Sequence, residues 1–350
     1  MIEVYPDSKI YVACPANVAS GGPELLHQLV YHLRKDLGIN AYMYYLGFYE
    51  NVFGKADSNP VHPEYRHYGN PFIVNELKID DSEKNILIVP EAIYLFDKFE
   101  NIRKGIWFLS VDNYYLLKPD LQPMLQNKLP HFGFDVSKVV SYLSTRYDYR
   151  DDPFVKLADF YMTNSYRGLK WFSDLKPMYY LPDYYVNIRF IEESYALNLN
   201  SKKNIVAYNP KKDYLFTKKI IEFADDIVFV PIENMTREEV INLLKEVKVY
   251  IDFGYFPGPE RIPKEAAILG CCVITGKRGC AGFYEDVPIP NEYKFEDREE
   301  NIPKIIDKIK DCFENYEERY KDFEYFREVI KNGPQKFIED LRKIFVKVEK

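Results

Sequence analysis

Short apolar runs recur down this chain, and they constrain its fold more than any other feature. They occupy residues 9–14, 85–91, 105–112, 160–164, 204–208, 227–231, 248–253 and 272–275. A run of this length without polar alternation suits a strand covered on both faces. Between the runs lie stretches with helical periodicity. After the first, Leu25, Leu29, Leu33 and Leu37 form one stripe with Leu26 and Val30 beside it. Later, Thr236 and Glu239 have capping-box spacing ahead of Val240, Leu243, Leu244 and Val247. Repeated strand–helix–strand units specify parallel sheets with helices on both faces.

The pattern runs through two cycles. In the first, residues 40–47 and 178–181 add further strands, and residues 48–83 are a polar, Pro- and Asn-rich excursion. Residues 186–203 lack periodicity, and this is where the interdomain linker is placed. The expected fold is α/β, with two tandem doubly wound, Rossmann-like domains at residues 1–186 and 203–320. Ligands are expected in a cleft at the strand ends. Residues 321–350 are expected to form C-terminal helices. In the last of these, residues 335–350, one side carries Phe337, Ile338, Leu341, Ile344, Phe345 and Val348. Packing back on the protein is the favoured placement. The basic residues Lys336, Arg342, Lys343, Lys347 and Lys350 leave peripheral contact with an anionic membrane surface as the alternative.

The chain has 350 residues, which suits two cores better than one. Its net charge of −7 argues against a nucleic-acid partner. No stretch has the apolar length of a membrane span, and the N-terminus lacks a signal-peptide pattern, so a cytoplasmic location is expected. The 5 cysteines include no Cys-x-x-Cys pair and read as small hydrophobes. None of the 5 histidines sits at a convincing strand end, and His27 falls on the polar flank of the first helix.

Residues 259–279 form a compact unit with a chemical character of its own. Pro263 suits a first helical turn, Gly270 a helix stop, and residues 272–275 a buried strand. The helix bears Glu265, and the strand runs into Lys277-Arg278-Gly279. A helix N-terminus and a basic glycine loop both favour an anion, and a nucleotide diphosphate fits that description.

The segment Arg261-Ile-Pro-Lys-Glu265-Ala-Ala-Ile-Leu-Gly270, followed by Val273-Ile-Thr, resembles the end of the nucleotide-sugar motif of retaining GT-B glycosyltransferases. In that family the glutamate matching Glu265 holds the donor's ribose hydroxyls. Gly21-Gly22-Pro-Glu24 resembles the family's glycine-rich loop after the first strand. Tyr208-Asn-Pro-Lys211-Lys212 falls where the family supplies cations to the diphosphate. The likeness in element order spans nearly the whole chain, whereas the motif likeness spans about 30 residues. The family's other motif glutamate would fall at position 257, which is Pro257 here. Donor sugar and stereochemical outcome are therefore left open.

The resemblance implies a glycosyltransferase that uses a nucleotide-diphosphate sugar as co-substrate, with no separate cofactor. Its acceptor would be a glycan or lipid-linked saccharide of the kind used in polysaccharide biosynthesis. A sugar-nucleotide epimerase of the same architecture, or a non-catalytic sugar-nucleotide-binding protein, are the alternatives. Gly21, Gly22, Lys211, Lys212, Arg261, Glu265, Lys277, Arg278 and Gly279 are the expected donor-binding residues. Cations placed there stabilise charge on the departing diphosphate. Each is equally at home as solvated surface, and Glu265 as a helix-surface acid. Glu91 and Asp112 each follow a buried strand of the first domain and are the candidate general bases for an acceptor hydroxyl. Each could instead orient the acceptor or cap a helix. Glu24 and Asn113 are the candidate acceptor-binding residues, and Glu24 would otherwise compensate the helix dipole. Asp-x-Asp, which chelates a metal diphosphate in the other large glycosyltransferase fold, is absent, so a metal-free mechanism is expected.

Overall fold

A computed structural model of the chain describes residues 1–46, 59–126, 136–211 and 214–348. It resolves into two units, one formed by Met1–Asp183 with Gln335–Lys350 and the other by Tyr184–Pro334. The fold is α/β, and both main sheets are parallel throughout.

The first unit begins with β1 (Ile2–Val4) and holds a 7-stranded sheet in the order β4-β3-β2-β5-β6-β7-β8. These strands are β2 (Lys9–Pro15), β3 (Asn40–Leu46), β4 (Phe72–Ile73), β5 (Ile86–Pro90), β6 (Arg103–Phe108), β7 (Phe160–Thr163) and β8 (Met178–Tyr180). Chain order reverses between β2 and β5, which makes their carboxyl ends the switch point where such sheets take ligands. Alternation along the strands feeds two cores. Tyr11, Ala13, Leu87, Val89, Ile106 and Phe108 share one apolar cluster. On the other face Ile10, Val12 and Cys14 are equally buried, and the first helix, Gly21–Lys35, packs on β2 and β3. Its Leu25, Leu26, Leu29, Val30 and Leu33 are buried, as the periodicity marks them, whereas Leu37 of the same stripe lies beyond the helix end and is half-buried.

The second unit holds a 4-stranded sheet in the order β10-β9-β11-β12. Its strands are β9 (Lys203–Tyr208), β10 (Val228–Pro231), β11 (Val247–Asp252) and β12 (Cys272–Thr275), with the reversal between β9 and β11. The Thr236–Glu239 capping box is formed. The Thr236 hydroxyl accepts from the Glu239 N–H at 3.3 Å, and the Glu239 carboxylate accepts from the Thr236 N–H at 2.6 Å. All 5 cysteines are buried, and none is in a disulfide.

Three segments differ from the sequence-based expectation. Residues 186–203 contain a helix, Ile188–Ser194, anchored by buried Phe190 and Ile191. The last helix is one element of 21 residues, Glu324–Ile344, with Pro334 inside it. It gives way to β13 (Phe345–Lys347), which pairs in parallel with β1 and sets Ile2 opposite Phe345. The apolar face expected there is real, but the protein covers it. Phe337, Leu341, Ile344 and Phe345 are buried, and the Phe337 ring lies edge-on to His32 at 5.5 Å. Arg342 and Lys343 are exposed. No helix of the described residues is long and apolar enough to cross a membrane.

Candidate active site

In the first unit the segments that follow β2, β5 and β6 meet beyond the switch point. Ser20 stands at the N-cap of the first helix, and its own side chain makes no capping bond. The Tyr65 hydroxyl supplies the order instead, accepting from the Ser20 N–H at 2.8 Å and donating to the Ser20 carbonyl at 2.9 Å. Gly21 is exposed, and a Cβ on Gly22 would lie 3.3 Å from the Leu109 side chain beyond β6. Glu24 is buried and accepts a hydrogen bond from the Tyr68 hydroxyl. Tyr65 and Tyr68 project together because they are three residues apart in the 3₁₀ turn Pro63–Tyr68, where positions i and i+3 eclipse.

His27 is not on a polar flank. Its ring is buried, with Nδ1 2.7 Å from the Pro23 carbonyl and Nε2 2.6 Å from the Tyr45 hydroxyl. Burial pushes its pKa down to about 4, so the ring is neutral at ordinary pH.

The two candidate bases have different surroundings. Glu91 is buried at the end of β5, and its Oε2 accepts from the Leu109 N–H at 2.8 Å. Burial raises its pKa to about 7. Hydrogen bonds from backbone N–H groups, including those of Leu109 and Ser110, and from the Asn113 side chain partly offset that rise. Asn113 itself is exposed. Asp112 lies in the first turn of the helix Val111–Leu116, whose cap Ser110 accepts from the N–H groups of Asp112 and Asn113. Its carboxylate meets the Arg167 guanidinium in a two-pronged pair, with both N–H···O distances 2.7 Å. Arg167 follows β7, and both partners are buried. Asp112 is therefore held by a fixed internal cation, while Glu91 titrates near neutrality.

In the second unit, Lys211 is exposed just beyond β9, its N–H donating to Asn209 Oδ1 at 3.0 Å. Lys212 lies outside the described residues. Arg261 opens the helix Arg261–Ile268, and its guanidinium lies 4.7 Å from the centre of the Tyr185 ring. One helical turn on, Glu265 is partly buried, and among the described residues its carboxylate has no hydrogen bond or ion pair. Burial raises its pKa to about 7 against the opposing pull of Arg261, Arg237 and Lys264. Such a group is poised to accept hydrogen bonds from outside the protein.

The loop after β12 divides its expected roles. Lys277 is exposed. Arg278 is turned inward, with Nε 2.6 Å from Asp297 Oδ2 and Nη2 donating to the Phe253 carbonyl at 2.8 Å. Gly279 has φ of 66°, and a Cβ there would stand 2.1 Å from the Phe256 carbonyl oxygen. The tight turn itself thus requires glycine at this position. Tyr65, Arg167 and Asp297 escaped the sequence reading, because each acts on a partner distant in the chain and sits in no motif.

No protein-family model matches the chain, and a search of curated proteins gives no match. Solved structures do match. Sucrose-phosphate synthase from Thermosynechococcus elongatus superposes with a TM-score of 0.54 at 12% identity, over 96% of this chain and 98% of its own. A glycosyltransferase from Rickettsia africae gives 0.53 at 14% identity, over 97% and 99%. Anabaena HepE in complex with UDP gives 0.53 at 10% identity, over 96% and 99%. The chain has the GT-B fold. At these identities the likeness is one of architecture, and it extends over both units.

Proposed function

We propose that this protein is a glycosyltransferase that takes its sugar from a nucleotide-diphosphate sugar. The observation that carries the reading is the Glu265 carboxylate. It is partly buried, unpartnered among the described residues, and one turn from Arg261 on a helix that follows a central strand of a GT-B second unit. A carboxylate so placed suits the hydroxyls of a ribose, and neighbouring cations suit a diphosphate. The complexes of the structural neighbour HepE with UDP and with UDP-glucose support the same assignment.

On this reading Lys211, Lys212, Arg261 and Lys277 supply the positive field that stabilises the leaving diphosphate, without a metal. Gly21 and Gly22 offer backbone N–H groups at the start of the first helix. Glu91, oriented by the Leu109 N–H, is the group that titrates where a general base must, and it takes the proton of an acceptor hydroxyl. Asp112 orients Arg167 rather than acting as a base. The acceptor is a glycan or a lipid-linked saccharide.

Isothermal titration with UDP and other nucleoside diphosphates tests the donor assignment. Charge-assisted hydrogen bonds are worth about 1.5–3 kcal/mol, so Glu265→Ala should weaken affinity roughly 10- to 100-fold. Unchanged affinity in a folded variant would remove Glu265 from the site.

A further inference from the structure

The loop Gly276–Gly282 is tied down almost everywhere along its length. At its start the Gly276 N–H donates to the Asp252 carbonyl at 3.0 Å, and at its middle the Cys280 N–H donates to the Phe256 carbonyl at 2.8 Å. A Cβ on Gly282 would lie 2.7 Å from the Lys277 carbonyl oxygen, so the loop closes tightly on its own backbone. A separate segment, residues 294–297, braces it from the other side. The Phe295 N–H donates to the Thr275 carbonyl at 3.0 Å. Buried Lys294 donates from Nζ to the carbonyls of Ala281 and Phe283, at 2.9 and 3.1 Å. Asp297 pairs with Arg278 at 2.6 Å, and its Oδ1 would lie 2.7 Å from a Cβ on Gly276.

One side chain escapes these restraints. Lys277 stands between clamped Gly276 and clamped Arg278, is exposed, and has no side-chain hydrogen bond or ion pair among the described residues. An unpaired cation on a braced turn loses little freedom when it meets an anion, which is what preorganisation supplies. Arg278 is differently placed, since aiming it outward would break its pair with Asp297.

We propose that Asp297 is a positioning residue. By holding Arg278 inward it fixes the turn so that Lys277 presents its ammonium to the diphosphate of the bound nucleotide. This rests on the donor reading above and assigns opposite roles to two adjacent cations that the sequence presents as equivalents.

The test is titration of the full chain with UDP and with inorganic pyrophosphate, alongside thermal melts of each variant. Lys277→Ala should weaken both probes about tenfold, the scale of one charge-assisted hydrogen bond, with little change in melting temperature. Asp297→Asn should lower the melting temperature and also weaken both probes. In the Lys277→Ala background it should still lower the melting temperature but should no longer alter affinity, because the two residues act through one contact. Arg278→Gln breaks the same pair from the other side and serves if Asp297→Asn does not fold. A purely structural clamp would lower stability and leave affinity alone, which would overturn the role of Asp297. Unchanged affinity for Lys277→Ala, with Glu265→Ala weakened, would overturn this assignment and leave the donor reading standing. Failure of the parent protein to bind either probe would overturn both.

Discussion

The Asp112–Arg167 pair gives the sharpest contrast between a structural and a catalytic role. Asp112→Asn keeps the size of the side chain but turns an amide N–H₂ toward a guanidinium that offers only donors. One of the two 2.7 Å bonds is lost, and a cation that is only 7% exposed is left without its counter-charge. Breaking a buried pair from one side costs about 3–5 kcal/mol. For a unit of this size each kcal/mol moves the midpoint by roughly 2–4 °C, so the melting temperature of the first unit should fall by roughly 6–20 °C. The assay comes ready-made, because both tryptophans, Trp107 and Trp171, lie in that unit, and Arg167 sits 5.8 Å from the centre of the Trp171 ring. Tryptophan fluorescence during heating therefore reads the unit that carries the substitution. Replacing both partners with apolar residues, Asp112→Leu with Arg167→Met, should recover most of the loss, since no buried charge is then stranded. A melting temperature within about 1 °C of the parent, together with a 10²–10⁴-fold loss of turnover, would refute this and make Asp112 the general base.

Three further outcomes follow from the same structure. Glu265 and Glu91 both have pKa values raised to about 7, so each favours the fold most when protonated. Stability from both should be full below about pH 4.5 and be lost as pH rises through 7. Melts of Glu91→Gln and Glu265→Gln between pH 5 and pH 8 should show a flatter profile than the parent, and an unchanged slope would mean that neither carboxyl titrates there. Gly279→Ala forces a side chain into a left-handed φ and against the Phe256 carbonyl, so it should destabilise by more than the roughly 1–2 kcal/mol of the backbone conformation alone, read by urea unfolding. Sugar transfer should persist in a strong chelator, and loss of turnover restored by manganese or magnesium would show that a metal carries the diphosphate.

Apart from the two-residue β4, which falls in the stretch read as a polar excursion, the strands of both main sheets were legible because their signal is local. Residues 272–275 need only their own apolar run and the Gly270 stop to be read as β12. Strands β1 and β13 were not, since each has three residues and pairs with a segment at the other end of the chain. The helical stripe of Phe337, Leu341 and Ile344 also continues smoothly into Phe345, so the change to strand leaves no mark on the periodicity. The candidate site follows the same division. Glu265 and Lys277 sit where a motif and a strand end place them. That Arg278 turns inward depends on Asp297, and that Asp112 is held depends on Arg167, 55 residues away. A sequence exposes such a charge without naming its partner.

The pairing of β1 with β13 also bears on how the polypeptide reaches its native state. The chain leaves the first unit after Asp183 and re-enters it at Gln335, so the second unit is an insertion tethered at both ends. During synthesis the whole of the second unit emerges before the residues that complete the first. The order of completion is thus inverted, and the unit begun first is the last to close. A nascent chain that stops short of β13 would present the second unit finished, beside a first unit still missing the strand that pairs with its own first residues.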